Sequence, residues 1–135
     1  MKNGFERPLV VMKTGPRTWR VNDPLVYQSK VLAAFNPIIV PAGFETDFAS
    51  VPRPLWNLFP PDGSYTAAAV VHDWLYTLGD KGDKKGRRLA DLTFKRALKI
   101  VGVGFFRRNI MYLAVRAGGA SGYGLESDYD FRDLE

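Results

Sequence analysis

The chain has 135 residues, a length that suits one domain with one hydrophobic core and is short for two. Hydrophobic residues make up 46% and charged residues 24%, which is typical of a globular protein. The absence of cysteine excludes disulfides, thiolate metal sites and cysteine nucleophiles. The net charge of +5 fits either an anionic partner or simple solubility.

A small antiparallel β region is predicted over about residues 1–60. Short β-like runs occur at 18–21 and 25–28, separated by an Asn-Asp-Pro turn signal, and a third run lies between two prolines at 38–40. Gly43 suits a type II turn, and we expect a strand to follow it. Residues 51–63 are rich in proline and aromatic residues and are predicted to form an irregular arm.

Three helices are predicted after the β region, so the fold class is α+β in a single domain, residues 1–135. The first helix, about 65–78, ends at Gly79 and is apolar on almost every side, which indicates a central position. The second, about 87–101, follows a polar loop and has an apolar stripe with steps of three and four residues. The third, about 106–117, ends at a pair of glycines.

His72 is the single histidine of the chain and the first candidate for a general base, because most such bases near neutral pH are histidines. Tyr76 is four residues away and shares its helix face, whereas Asp73 is rotated by about 100°. If the first two helices pack antiparallel, Asp91 reaches the imidazole and fixes its tautomer, and the other ring nitrogen activates a water. Asp73 would then hold a divalent cation. The alternative is a buried hydrogen-bonded pair that orders a helix junction.

The segment that precedes the first helix contains three further candidate site residues. Asp47 is either part of a turn in which side chains bond backbone amides or a second metal ligand near Asp73. Arg53 would pair with Asp47 or bind an anionic ligand. Trp56 belongs to the apolar arm, which either covers the core or forms a binding surface.

Several other kinds of site are set aside by the sequence. Phosphohydrolases of the HD type use several histidines as metal ligands, and this chain has one. A serine hydrolase of the G-x-S-x-G type and a phosphate-binding G-x-x-x-x-G-K-[ST] loop would each need a motif that is absent. Recognised nucleic-acid-binding motifs are absent too, so nucleic acid is not an expected partner.

The segment AAVVHDWLY at 68–76, followed by a polar loop and by ADLTF at 90–94, resembles the catalytic helices of the secretory phospholipase A2 superfamily. It is closest to the cysteine-free branch found in parvoviral capsid proteins. The resemblance implies that His72 activates a water, that Asp73 binds calcium, and that Asp91 and Tyr76 orient the histidine. That family has a glycine-rich calcium loop before its histidine helix, where this chain reads PPDGSY.

A second resemblance covers about residues 35–119. The segments GFETDFASVPR, HDWLY, ADLTF and RNIMYLAVR occur in this order, which is similar to a family of small phage and prophage proteins of unknown function. This resemblance implies a bacteriophage origin, among late or tail-region products.

Two functions are therefore expected. The first is a tail- or virion-associated protein whose His–Asp site hydrolyses host membrane phospholipid or another ester with the help of calcium. The alternative is a non-catalytic component of the tail or tail tip that acts through contacts with other virion proteins. The expected location is the virion or the host bacterial cytoplasm, since the sequence shows neither a signal peptide nor a transmembrane segment.

Overall fold

The computed structural model describes residues 4–6, 8–15, 18–28, 37–46, 65–79 and 82–118. Within these ranges, six short strands precede three helices. In chain order they are β1 (Gly4–Phe5), β2 (Val11–Lys13), β3 (Trp19–Val21), β4 (Leu25–Gln28), β5 (Ile38–Val40), β6 (Glu45–Thr46), α1 (Thr66–Leu78), α2 (Lys84–Ile100) and α3 (Phe105–Gly118). This order confirms the predicted α+β class.

The strands form two antiparallel sheets of three strands each, with the orders β1-β4-β5 and β2-β3-β6. In the first sheet, Leu25 lies opposite Val40 and Tyr27 lies opposite Ile38, and all four side chains are buried. Because side chains alternate along a strand, this register places the four on one face of the sheet. Ile39, between two of them, is exposed. One face of this sheet therefore contributes to the core.

The turn before β6 has the predicted geometry. Gly43 has a φ of +94°, a region that favours glycine, and the backbone N–H of Phe44 donates to the carbonyl of Pro41. The carbonyl of Phe44 then accepts from the N–H of Val21, and the N–H of Gly43 donates to the carbonyl of Val21. The turn therefore delivers β6 to the edge of β3.

The observed starts of α1 and α2 differ from the predicted ones by one and three residues. The first helix begins at Thr66, with Tyr65 in the N-cap position and no side-chain cap, and ends at Gly79 as predicted. The second helix, predicted to begin at about Arg87, begins three residues earlier, at Lys84. Asp83 is its N-cap, and one carboxylate oxygen accepts a hydrogen bond of 3.0 Å from the backbone N–H of Gly86. Gly86 therefore belongs to the first helical turn rather than to the loop.

The core runs from the first sheet through α1 to α2 and α3. Helix α1 contacts β4 and β5 as well as α2, and α2 contacts α3, so α1 is the central helix. The run 68–71 of α1 is fully buried, whereas Trp74 and Leu75 are partly buried and Leu78, in the last turn, is exposed. The core residues contributed by the helices are Ala68, Ala69, Val70, Val71, Phe94, Ala97, Leu98, Met111 and Val115.

Among the described residues, none of the helices combines the length and the apolar character needed to cross a membrane.

Candidate functional site

The single histidine meets a carboxylate inside the core. His72 lies in α1 and Asp91 in α2, and Nε2 of the imidazole is 2.7 Å from Oδ1 of the carboxylate. Both side chains are 0% exposed. The imidazole ring also packs against the rings of Phe94 and Tyr76, with centroid distances of 4.6 Å and 4.2 Å. The structure therefore brings His72 and Asp91 together and fixes the plane of the imidazole between two aromatic rings.

Tyr76 lies one helical turn after His72 in α1 and is bonded to the same carboxylate. Its hydroxyl donates a hydrogen bond of 2.6 Å to Oδ1 of Asp91, the same oxygen that contacts the imidazole. Burial raises the pKa of Tyr76, and the hydrogen bond to Asp91 and the charge of that carboxylate raise it further. The phenol therefore stays protonated and acts as a hydrogen-bond donor to the carboxylate.

Arg116 of α3 is a member of this cluster that sequence reasoning missed. Its Nη1 donates a hydrogen bond of 2.9 Å to Oδ2 of Asp91, and its side chain is 31% exposed. Asp91 of α2 thus accepts hydrogen bonds from side chains of α1 and of α3, and so links the three helices. The sequence indicates only that a buried carboxylate such as Asp91 needs a positively charged partner. It contains many lysines and arginines and does not identify Arg116 among them.

Arg87 holds the end of α3 in place. Its guanidinium donates to the backbone carbonyls of Val115 and Arg116, which lie in the last turn of that helix. Carbonyls in the last turn have no partner within the helix, so a guanidinium is a suitable cap. Arg87 therefore positions the backbone from which Arg116 reaches Asp91.

Several opposing effects act on the ionisation of Asp91. Burial alone would raise the pKa of this carboxyl, but the hydrogen bond from His72 and the charge of its imidazolium act in the opposite direction. Hydrogen bonds from Tyr76 and Arg116 add to that effect, and the pKa of Asp91 lies below its ordinary value. Asp91 is therefore a carboxylate at neutral pH.

An ionised Asp91 determines which nitrogen of His72 can act as a base. A carboxylate oxygen only accepts hydrogen bonds, so Nε2 of the imidazole carries the proton that it donates to Oδ1. In the neutral imidazole, Nδ1 is then the unprotonated nitrogen. The arrangement is able to take a proton at Nδ1 and to stabilise the resulting imidazolium through Asp91.

Asp73, the predicted metal ligand, connects α1 to the second sheet. The hydroxyl of Thr46 in β6 donates to Oδ2 of Asp73, and the backbone carbonyl of Asp73 accepts a bond of 2.9 Å from the hydroxyl of Thr77. The carboxylate is half-buried. Asp73 therefore lies next to His72 in sequence but is hydrogen-bonded to a different partner, on another side of the helix.

The described part of the chain does not by itself form a calcium site. Calcium takes six to eight oxygen ligands, and no group of three or more His, Cys, Asp or Glu side chains suited to a metal occurs among the described residues. Asp47, the second predicted ligand, follows Thr46 directly and lies outside the described ranges. Calcium binding therefore stays a prediction.

The remaining predicted site residues, Arg53 and Trp56, also lie outside the described ranges, together with the proline-rich arm. Of the seven residues singled out in the sequence, the structure thus describes four. It brings three of them together, namely His72, Tyr76 and Asp91.

Comparison with known proteins identifies the family of the chain. Neither the curated proteins nor the solved structures contain a match. A family model with the description "Protein of unknown function (DUF1353)" matches residues 19–115, a range that begins at β3, ends within α3 and includes the three clustered residues. Because this range spans more than half of the sequence, the chain belongs to the DUF1353 family of proteins of unknown function.

Proposed function

We propose that this protein is a hydrolase in which His72 is the general base and Asp91 and Tyr76 are the residues that position it. The observation that carries the proposal is the buried contact of 2.7 Å between Nε2 of His72 and a carboxylate that stays ionised. Such a contact orients an imidazole and stabilises its protonated form. Proton transfer by a positioned side chain contributes typically about 10² to 10⁴-fold to a rate.

The proposed reaction is the hydrolysis of an ester. Nδ1 of His72 takes a proton from a water molecule as the water oxygen attacks the carbonyl carbon of the substrate. The tetrahedral intermediate then collapses with cleavage of the bond to the leaving oxygen, and the imidazolium returns its proton to that oxygen. The products are a carboxylic acid and an alcohol, and the imidazole is restored.

A phospholipid is the substrate class that the sequence favours. The resemblance of AAVVHDWLY and ADLTF to the catalytic helices of phospholipases A2 supports it, because these two segments contain the His72–Asp91 pair that meets in the structure. The resemblance to phage and prophage proteins supports a role at the envelope of a bacterial host. In this proposal the protein is tail- or virion-associated and acts on host lipid.

The test is release of fatty acid from phospholipid vesicles by the wild type and by His72→Gln. Glutamine is preferable to asparagine here, because the longer amide reaches toward the position of Nε2 and keeps a donor to Asp91. The variant should keep the melting temperature of the wild type and lose at least about 10²-fold in rate. Parallel reactions with calcium and with a chelator test the predicted cation. Lys85→Gln, on an exposed residue of α2, is the matched control. Equal release by wild type and His72→Gln would refute the proposal.

A second candidate is a non-catalytic component of the phage tail. The observation that favours it is the complete burial of His72 and Asp91, together with the engagement of both carboxylate oxygens by three side chains. A fully satisfied buried network of this kind orders a core without any chemistry. Mass spectrometry of purified particles tests this candidate, and absence of the protein from virions contradicts it.

A further inference from the structure

One side of α3 exposes large apolar side chains to solvent. Phe106 is 80% exposed, Leu113 64% and Ile110 46%. Steps of four and three residues place them on one face of the helix, which we call the α3 stripe. Met111 and Val115, on the side that packs on α2, are buried. Helix α3 is therefore apolar on two sides, of which only one is needed for the core.

The chain segment that contains α2 and α3 is strongly basic. Between residues 84 and 118 the sequence has ten lysines and arginines and one acidic residue, Asp91, which is buried. Arg107 is exposed next to Phe106. Lys99 and Ile100 are exposed at the end of α2, six and five residues before α3 begins. One exposed cation therefore adjoins Phe106 in the chain, and another lies shortly before the start of α3.

We propose that the α3 stripe and the cations beside it bind the surface of a membrane that contains anionic phospholipid. Phe106, Ile110 and Leu113 would enter the boundary between headgroups and acyl chains, and Lys99 and Arg107 would contact lipid phosphates. An apolar helix face with lysine and arginine at its margins is the usual structure of an interfacial membrane-binding element. Each cation held near an anionic surface adds to the attraction.

Charge and side-chain type favour this occupant over two others. A second copy of the chain would bring two basic surfaces together, and like charges oppose that contact. A nucleic acid matches the charge, but Ile110 and Leu113, two of the three residues of the stripe, offer neither stacking rings nor hydrogen bonds to bases. An anionic lipid surface satisfies both the apolar and the basic groups.

This inference goes beyond the proposed hydrolysis and does not depend on it. The α3 stripe contains none of the residues proposed for the chemistry, so binding is measurable with His72→Gln as well as with the wild type. Loss of hydrolysis with retained binding would contradict only the catalytic proposal, whereas hydrolysis of a soluble ester without vesicle binding would contradict only this one.

The experiment is sedimentation of the full chain with vesicles of phosphatidylcholine alone and of phosphatidylcholine mixed with phosphatidylglycerol. We expect binding to the mixed vesicles and a decrease of about tenfold or more in Phe106→Ser/Leu113→Ser, because the buried apolar area is lost. Lys99→Gln/Arg107→Gln should weaken binding to the mixed vesicles only. Ile39→Ser is the matched control, since Ile39 is 51% exposed on β5.

Four results would overturn the proposal. These are no binding of the wild type to the mixed vesicles, equal binding by the Phe106→Ser/Leu113→Ser variant, and a wild-type dimer in light scattering that this variant abolishes. The fourth is a lower melting temperature for the same variant without vesicles, because that result means that the chain itself covers the α3 stripe in solution.

Discussion

Replacement of Asp91 with leucine tests the central cluster most directly. The carboxylate accepts from His72 and Tyr76 of α1 on one oxygen and from Arg116 of α3 on the other, so Asp91→Leu removes the acceptor through which α2 is bonded to both other helices. Leucine is apolar and suits a position that is 0% exposed. The change therefore removes the polar interactions without adding an exposed apolar group.

The magnitude follows from the burial of the three partners. His72 and Tyr76 are buried, and each would lose its hydrogen bond to the carboxylate inside the core, at about 1–3 kcal/mol. Arg116 is partly exposed, so water replaces much of its interaction. Burial of the leucine side chain offsets part of the loss. We expect a net decrease of about 3 kcal/mol in the free energy of unfolding, a large share of the roughly 5–15 kcal/mol that holds a domain folded.

Thermal and urea unfolding followed by circular dichroism measure this decrease. For a domain of this size, about 3 kcal/mol lowers the melting temperature by roughly 10 °C. Asp91→Asn is the matched control, because it keeps the shape and one acceptor oxygen and should lose less stability than leucine. If Asp91→Leu unfolds within 2 °C of the wild type, the three partners do not depend on Asp91 and the reasoning is wrong.

Three further predictions concern pH and the contacts around the cluster. The pKa of Asp91 is lowered on folding, so the carboxylate adds stability above its unfolded pKa of about 3.9, and this contribution is lost as the pH falls through the lower folded value. Urea titrations at several pH values between about 4 and 2 measure this loss. The free energy of unfolding of Asp91→Asn should fall less steeply with decreasing pH than that of the wild type, and an equal pH dependence would contradict the low pKa. Thr46→Val removes the hydrogen bond to Asp73 and should cost about 1 kcal/mol by urea unfolding, and a stability equal to that of the wild type would contradict the contact. Asp83→Ala removes the N-cap of α2 and should cost about 1 kcal/mol, with faster amide exchange confined to the first turn; unchanged exchange at Gly86 would contradict the cap.

Most of the secondary structure could be predicted from local sequence. The strands β3, β4 and β5 and the three helices lie within a few residues of their predicted positions, because turn residues and apolar periodicity are local signals. The strands β1 and β2 were not predicted individually. Strand β1 has two residues and pairs with β4, 22 to 24 positions further along the chain, whereas β2 pairs with the nearby β3. The start of α2 was missed because Gly86 was interpreted as part of a loop.

Part of the site was also predictable from local sequence. His72 and Tyr76 share a helix face by spacing alone, and the apolar stripe of the second helix limits which side Asp91 occupies. That their hydrogen bonds meet at one carboxylate oxygen depends on how the two helices pack, and the structure supplies this. The roles of Asp47, Arg53 and Trp56 stay predictions, because these residues lie outside the described ranges.

The α+β class and the central position of α1 follow from local sequence, since turn residues and apolar periodicity act within single elements. The packing of the helices and sheets determines that His72 and Arg116 both meet Asp91 and that Thr46 is hydrogen-bonded to Asp73. It also determines that Phe106, Ile110 and Leu113 face solvent. The physical reason for the hydrogen bonds of Arg116 and Thr46 is that they join residues 25 and 27 positions apart. The exposure of the α3 residues depends on which of two apolar helix faces packs on the core. Local periodicity predicts that a face is apolar, but the packing of the whole chain determines what covers it.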